Sequence, residues 1–164
     1  MKDLFEYYEK YGNSDYIGED VSQIEHMTQA AMLAEENNES IDIILACFFH
    51  DIGRLVQEHH IKINGLGVKN HEKIGSQLLK DYNVPEPIPS LVENHVKTKR
   101  YKVYKFKDYY NKLSPSSKKT LEFQGGPMTK EEAKEFENDK LFEDSNKVRE
   151  YDDRAKVRNV SIKP

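Results

Sequence analysis

Apolar positions along the chain recur mainly at helical spacing. Ile24, Met27, Ala31 and Ala34 mark one face of a helix predicted over residues 21–36. A denser apolar run, Ile41 to Phe49, follows Ser40, whose hydroxyl can cap the next helix. Ahead of these, residues 3–11 read as a first helix stopped by Gly12-Asn13, and residues 16–20 as a loop. Gly65 and Gly67 punctuate a second loop, after which Asn70 can cap a helix running through Ile74, Leu78 and Leu79. Val84-Pro85-Glu86-Pro87-Ile88-Pro89 breaks the pattern, which resumes from Ser90. Ser114-Pro115 starts another helix with proline in its first position. Gln124-Gly125-Gly126-Pro127 is a tight turn, and Thr129 with Glu132 forms a capping box beyond it. A last helix is predicted from about Asp139 to Asp152-Asp153. No strand-like alternation stands out. The expected fold is therefore all-α, a compact helical bundle around a polar centre.

The chain has 164 residues, which suits a single domain over residues 1–164 with a core of its own. Charged residues make up 33% and hydrophobic residues 37%. No stretch approaches the roughly 20 apolar residues of a membrane span, and the acidic N-terminus does not read as a secretory signal. The single cysteine, Cys47, can form no internal disulfide and lies in an apolar run, which points to a buried thiol and a cytoplasmic setting. With 25 basic and 29 acidic residues the net charge is −4, so no general attraction to nucleic acid or a membrane surface is expected. One local exception is the cluster Lys97, Lys99, Arg100, Lys102, Lys105 and Lys107.

That cluster follows one of four histidines that change the picture. His50-Asp51 closes the apolar run from Ile41, where an imidazole and a carboxylate are costly to bury without compensation. A bound cation compensates both. His26, His71 and His95 ride on separate predicted helices, and Asp152-Asp153 ends the last one. Imidazole with carboxylate suits iron, zinc or manganese better than calcium. Ligands projecting from several helices into a bundle core are an established way to hold two metals. His59-His60 lie in a polar stretch and read as ordinary surface residues. Lys99 falls one helical turn after His95, and Arg54 one turn after His50, which places both on the faces that carry those histidines.

The order His…His-Asp…His…His…Asp is that of the HD-domain superfamily, in a form with ligands enough for two metals. The flanking residues are more specific. They are Tyr16-Ile17-Gly18-Glu19, Ser22-Gln23-Ile24-Glu25-His26, Lys99-Arg100-Tyr101, Leu113-Ser114-Pro115-Ser116-Ser117, Gln124-Gly125-Gly126-Pro127-Met128 and Arg149-Glu150-Tyr151-Asp152-Asp153-Arg154-Ala155-Lys156. Together, from Tyr16 to Lys156, these resemble the HD-domain mixed-valent diiron oxygenases that cleave carbon–phosphorus bonds in organophosphonates. myo-Inositol oxygenase is a more distant relative of that family.

The resemblance implies a ligand set. His26, His50, Asp51 and Asp152 would hold one iron, and Asp51 would bridge to a second held by His71 and His95. Asp152 is preferred to Asp153 because it comes first in the Asp-Asp-X-Ala-Lys run. Tyr16 would gate an iron site at rest and leave when substrate enters. Glu19, Gln23, Arg54, Lys99 and Ser117 would contact substrate. The family commonly has histidine where this chain has Arg54; arginine keeps the positive charge but alters reach and acidity. The implied cofactors are two iron ions, one Fe(II) and one Fe(III), with O2 as co-substrate. The implied substrate is a 1-hydroxyalkylphosphonate, such as 2-amino-1-hydroxyethylphosphonate, supplied by a partner hydroxylase and converted to phosphate and a carboxylic acid. A carboxylate at Glu19 facing the far end of the substrate favours an amino compound; if it points elsewhere, hydroxymethylphosphonate fits better. The competing reading is an HD-domain metal-dependent phosphohydrolase acting on a nucleotide or other phosphate ester.

Overall fold

The computed structural model describes residues 4–16, 18–56 and 69–163. His59, His60, Gly65 and Gly67 lie outside the described residues. The described residues form helices α1 (Glu6–Tyr11), α2 (Gln23–Glu36), α3 (Ile41–Phe49), α4 (His71–Asp81), α5 (Ile88–Lys105), α6 (Tyr109–Lys112), α7 (Pro115–Phe123), α8 (Lys130–Glu137) and α9 (Phe142–Arg154). A 3-10 turn, Ile52–Arg54, follows α3. Among the described residues the extended pairing is a single bridge between Asp15 and Ser22. The fold is all-α. No helix of the described residues is long and apolar enough to cross a membrane.

Four of the helix starts follow from side-chain caps. Ser22 and Glu25 form a reciprocal capping box on α2, and Thr129 and Glu132 form another on α8. The Ser40 hydroxyl accepts from the amide of Ile43, and that of Ser114 from Ser117 ahead of the Pro115 that opens α7. Several helix starts depart from the sequence reading; α2, for one, begins at Gln23 rather than Val21, because Ser22 is its cap. Asn70 stands before α4 in a left-handed conformation (φ 56°) and makes no side-chain cap. α5 begins at Ile88 rather than Ser90, because Pro89 falls in its first turn, where an amide hydrogen is not needed. α9 begins at Phe142 rather than Asp139, because the Asp139 carboxylate accepts the Leu141 amide at 2.8 Å and shapes a turn ahead of the helix. The four-residue α6 carries too little pattern to be read beforehand.

α2, α3, α5 and α9 pack on one another, and α4 lies against α5 and the 3-10 turn. Their inward faces supply Met27, Ala30, Ala34, Ala46, Cys47, Leu79, Leu91, Val92 and Val148 to the main core. Each large side chain buried there contributes about 1.5–3 kcal/mol. A smaller apolar cluster of Tyr101, Met128, Ala133 and Phe136 fastens α8 to the far end of α5. Gly53 allows the 3-10 turn to approach α4: a Cβ at that position would stand 1.9 Å from the His71 carbonyl oxygen. The apolar shell thus brings the ends of α3 and α9, the start of α4 and the middle of α5 around one polar centre.

Candidate metal centre

His26, His50, Asp51, His71, His95 and Asp152 meet in that centre, each no more than 3% exposed. They form two groups whose donor atoms lie within 4.8 Å of one another, His26-His50-Asp51 and Asp51-His71-His95. The two oxygens of Asp51 face different groups. Oδ2 lies 3.7 Å from Nε2 of both His26 and His50. Oδ1 lies 3.0 Å from His71 Nε2 and 3.6 Å from His95 Nε2. Asp152 joins the first group, its Oδ1 3.2 Å from His26 and 3.6 Å from His50. Asp153 does not; it binds Arg149 and the hydroxyl of Tyr109.

The imidazoles are oriented from behind. Nδ1 of His26 donates to the Ala155 carbonyl at 2.8 Å, that of His50 to Cys47 at 2.7 Å, and that of His95 to Val92 at 2.6 Å. Those bonds place the ring hydrogen on Nδ1 and leave Nε2 with its lone pair turned inward, the form that ligates a metal. Yet Nε2 of His26 stands 2.9 Å from Nε2 of His50, and Nε2 of His71 stands 3.1 Å from that of His95. Between His26 and His50, whose ring hydrogens both lie on Nδ1, two lone pairs face each other and repel unless a proton or cation lies between them. Both Asp51 oxygens lack a well-directed hydrogen-bond donor among the described residues, although Arg54 Nε comes within 2.9 Å of Oδ1. Buried acceptors without donors, arranged in two groups that share one carboxylate, fit a pair of divalent or trivalent cations.

The charges around the centre reinforce this. Burial disfavours the Asp51 carboxylate, but Arg54 with His50 and His71 outweighs it and holds the pKa well below the usual range. Asp152 is likewise held low, because Arg149, His50 and His26 together outweigh burial. Burial, with the Arg54 charge, pushes His71 down to about 3 and keeps it neutral. Arg149 takes Asp152 Oδ2 at 2.9 Å, so Oδ1 alone faces the histidines.

A small cavity opens beside the centre. Its lining includes Tyr16, Glu19, Arg54, Lys99 and Ser117, and its free volume is about 20 Å³, hardly more than a water molecule needs. Tyr16 covers it, stacked on His26 at 4.3 Å between ring centres, with the Arg54 guanidinium 5.5 Å from its own ring. Arg54 reaches this place from the 3-10 turn, not from a continuation of α3, which ends at Phe49. Lys99 donates to Thr120 Oγ1 at 3.1 Å and to the Ser117 carbonyl at 3.2 Å. Gln23 lies apart from these lining residues, and its amide points to the Asp15 carbonyl at 3.5 Å. The sequence reading gave no site role to Arg149 or Lys156. Arg149 carries a usable signal, standing three and four residues before the two aspartates; Lys156 has no such signal, because its partner Glu19 is distant in the chain.

Comparison with known proteins agrees with the geometry. The HD domain family model matches residues 24–150. A protein of unknown function from Acanthamoeba polyphaga mimivirus is 50% identical over 96% of this chain and 73% of its own length. The hydroxymethylphosphonate dioxygenase of Gimesia maris is 37% identical over 97% of this chain and 79% of that protein. The glycine-betaine-forming [1-hydroxy-2-(trimethylamino)ethyl]phosphonate dioxygenase of Leisingera caerulea is 35% identical over 91% of this chain and 76% of that protein. On the matched domain, the extent of these identities and the paired histidine groups, the chain belongs to the HD-domain family of phosphonate oxygenases.

Proposed function

We propose that this chain cleaves the carbon–phosphorus bond of a 1-hydroxyalkylphosphonate with dioxygen at two iron ions. The observation that carries this reading is the division of Asp51, one oxygen toward His26 and His50 and the other toward His71 and His95. The overall change is RCH(OH)PO3²⁻ + O2 → RCOOH + HPO4²⁻. The C–H and C–P bonds break, the carbon is oxidised, dioxygen is reduced, and both of its atoms enter the products. Bound as a mixed-valent pair, the irons supply the redox chemistry that activates dioxygen and the charge that binds the substrate's oxygens.

The protein's own residues do the rest. His26, His50, Asp51 and Asp152 hold one ion; His71 and His95 hold the other, with Asp51 shared between them. Lys99 is the cavity cation with no carboxylate partner among the described residues, and it holds a phosphonate oxygen, with Arg54 and the Ser117 hydroxyl as further donors. Tyr16 serves as the gate. A cavity of about 20 Å³ admits no phosphonate until that ring swings off His26. In this reading a partner hydroxylase supplies the substrate's 1-hydroxyl.

The decisive experiment is phosphate release from a 1-hydroxyphosphonate by iron-loaded protein, in air and without oxygen. Release in air alone, with one O2 consumed per phosphate, supports the reading. Equal release without oxygen, or release from a phosphate ester instead, would replace it with a metal-dependent phosphohydrolase.

A further inference from the structure

Arg149 is buried, and three groups divide its guanidinium. Nη1 reaches Asp152 Oδ2 at 2.9 Å. Nε donates to Asp153 Oδ1 at 3.0 Å, and Nη2 donates to the same oxygen. Nε also stands 3.1 Å from the Tyr109 hydroxyl, which in turn donates to Asp153 Oδ2. Tyr109 thus closes a ring of hydrogen bonds with Arg149 and Asp153 on the Nε–Nη2 edge of the guanidinium. Its own ring is steadied by Lys102 of α5, whose Nζ stands 5.4 Å from the ring centre. Burial, with Asp153 beside it, raises the Tyr109 pKa above the ordinary 10.0 against the pull of Arg149, so the hydroxyl keeps the proton it donates.

A guanidinium is a planar fork that grips a carboxylate best through two parallel bonds. With its Nε–Nη2 edge taken, Arg149 has one nitrogen left for Asp152 and draws on one of its oxygens. Oδ1 remains for the histidine group, 3.2 Å from His26 and 3.6 Å from His50. Once that edge is released, the fork can turn and take both Asp152 oxygens, in competition with the ion. We propose that Tyr109 is a positioning residue for the ion of the His26–His50 group: by bracing Asp153 it limits Arg149 to a single bond with Asp152 and keeps Oδ1 free to ligate. This rests on the two-metal site of the reading above and not on the reaction assigned to it. Tyr109 opens α6 and belongs to none of the motifs by which the chain resembles its family.

The test is anaerobic competition for iron between the full chain and a chelator, following both ions as they leave. Tyr109→Phe should fill at saturating iron, yet release one ion, the one that Asp152→Asn fails to hold, at about tenfold lower chelator concentration. The other ion should move less than about twofold. Tyr110→Phe, the same loss of a hydroxyl one residue along, should move neither. Asp153→Asn should loosen the same ion at least as much, and the double variant should add no more than about twofold, because both changes act through Arg149. Electron paramagnetic resonance of the partly reduced, iron-filled Tyr109→Phe protein should show the coupled signal shifted. Two ions loosened alike, two ions held as tightly as in the unaltered chain, or losses that multiply in the double variant overturn the inference. If Tyr109→Phe does not fold, Asp153→Asn reads the same ion against the same limits. No turnover enters these measurements, so a chain that releases no phosphate in air sinks the cleavage reading alone.

Discussion

Replacing Lys99 by methionine should make the protein more stable and less able to hold an anion. Lys99 is 3% exposed, and among the described residues its ammonium bonds to neutral oxygens alone: Thr120 Oγ1 at 3.1 Å, the Ser117 carbonyl at 3.2 Å and Ser117 Oγ at 3.5 Å. Burial, and then repulsion from Arg149, lowers its pKa well below the ordinary 10.5. Burying an ammonium costs several kcal/mol. Two good hydrogen bonds and one long one return about 1–1.5 kcal/mol each. Methionine fills nearly the same volume, and the Thr120 hydroxyl still donates to the Ser117 carbonyl at 3.1 Å. The balance is a gain of about 1–2 kcal/mol, or about 2–8 °C in Tm. The pH dependence has a definite sign. A lysine whose folded pKa is lowered binds more protons when unfolded, so the penalty is full below the folded value and fades as pH approaches 10.5. The advantage of Lys99→Met should therefore be greatest at low pH and vanish in alkaline solution. Loss of a charged donor should weaken phosphonate binding about 10–150-fold. Thermal melts across pH and anaerobic calorimetry with methylphosphonate measure both effects. A variant that is less stable at neutral pH, or that binds the phosphonate unchanged, would refute the reasoning.

Other outcomes follow from single contacts. Asp152→Asn should lose metal from the His26–His50 group, whereas Asp153→Asn should keep full metal content and lose about 1–3 kcal/mol of stability as Arg149 loses a partner; metal analysis with denaturant melts separates the two. Gly53→Ala should cost more than about 3 kcal/mol and lower metal content, because the new Cβ meets the His71 carbonyl and α4 must retreat; equal stability to the parent would contradict the packing described. Chelation should lower Tm by about 5–10 °C relative to protein held at a hundredfold excess over the metal Kd, measured by calorimetry.

Much of this site could be read from the chain because its chemistry is local in sequence. His50-Asp51 stands at the end of an apolar run, and the Thr129–Glu132 box and the Ser114-Pro115 start are short-range patterns. Part of what escaped the reading depends on how distant segments meet. The Nδ1 bond of His26 to Ala155 and the Lys156–Glu19 pair exist only once distant segments pack together, whereas Arg149 beside Asp152 and the Nδ1 bonds of His50 and His95 to Cys47 and Val92 are local, three residues apart. Asn70 misled because asparagine both caps helices and tolerates the left-handed region, and here it does the second. Arg54 was placed by extending α3 one turn too far. The 3-10 turn reaches a similar position by a tighter path, which Gly53 permits.

The central claim is that one carboxylate, Asp51, joins two metal ions. Electron paramagnetic resonance of partly reduced, iron-loaded protein tests it most directly, with Asp51→Asn as the comparison. The account expects a spin-coupled half-integer signal that shifts when a 1-hydroxyphosphonate is added and disappears in the variant. Signals of isolated high-spin ferric iron alone, unchanged by the phosphonate and by Asp51→Asn, would contradict it.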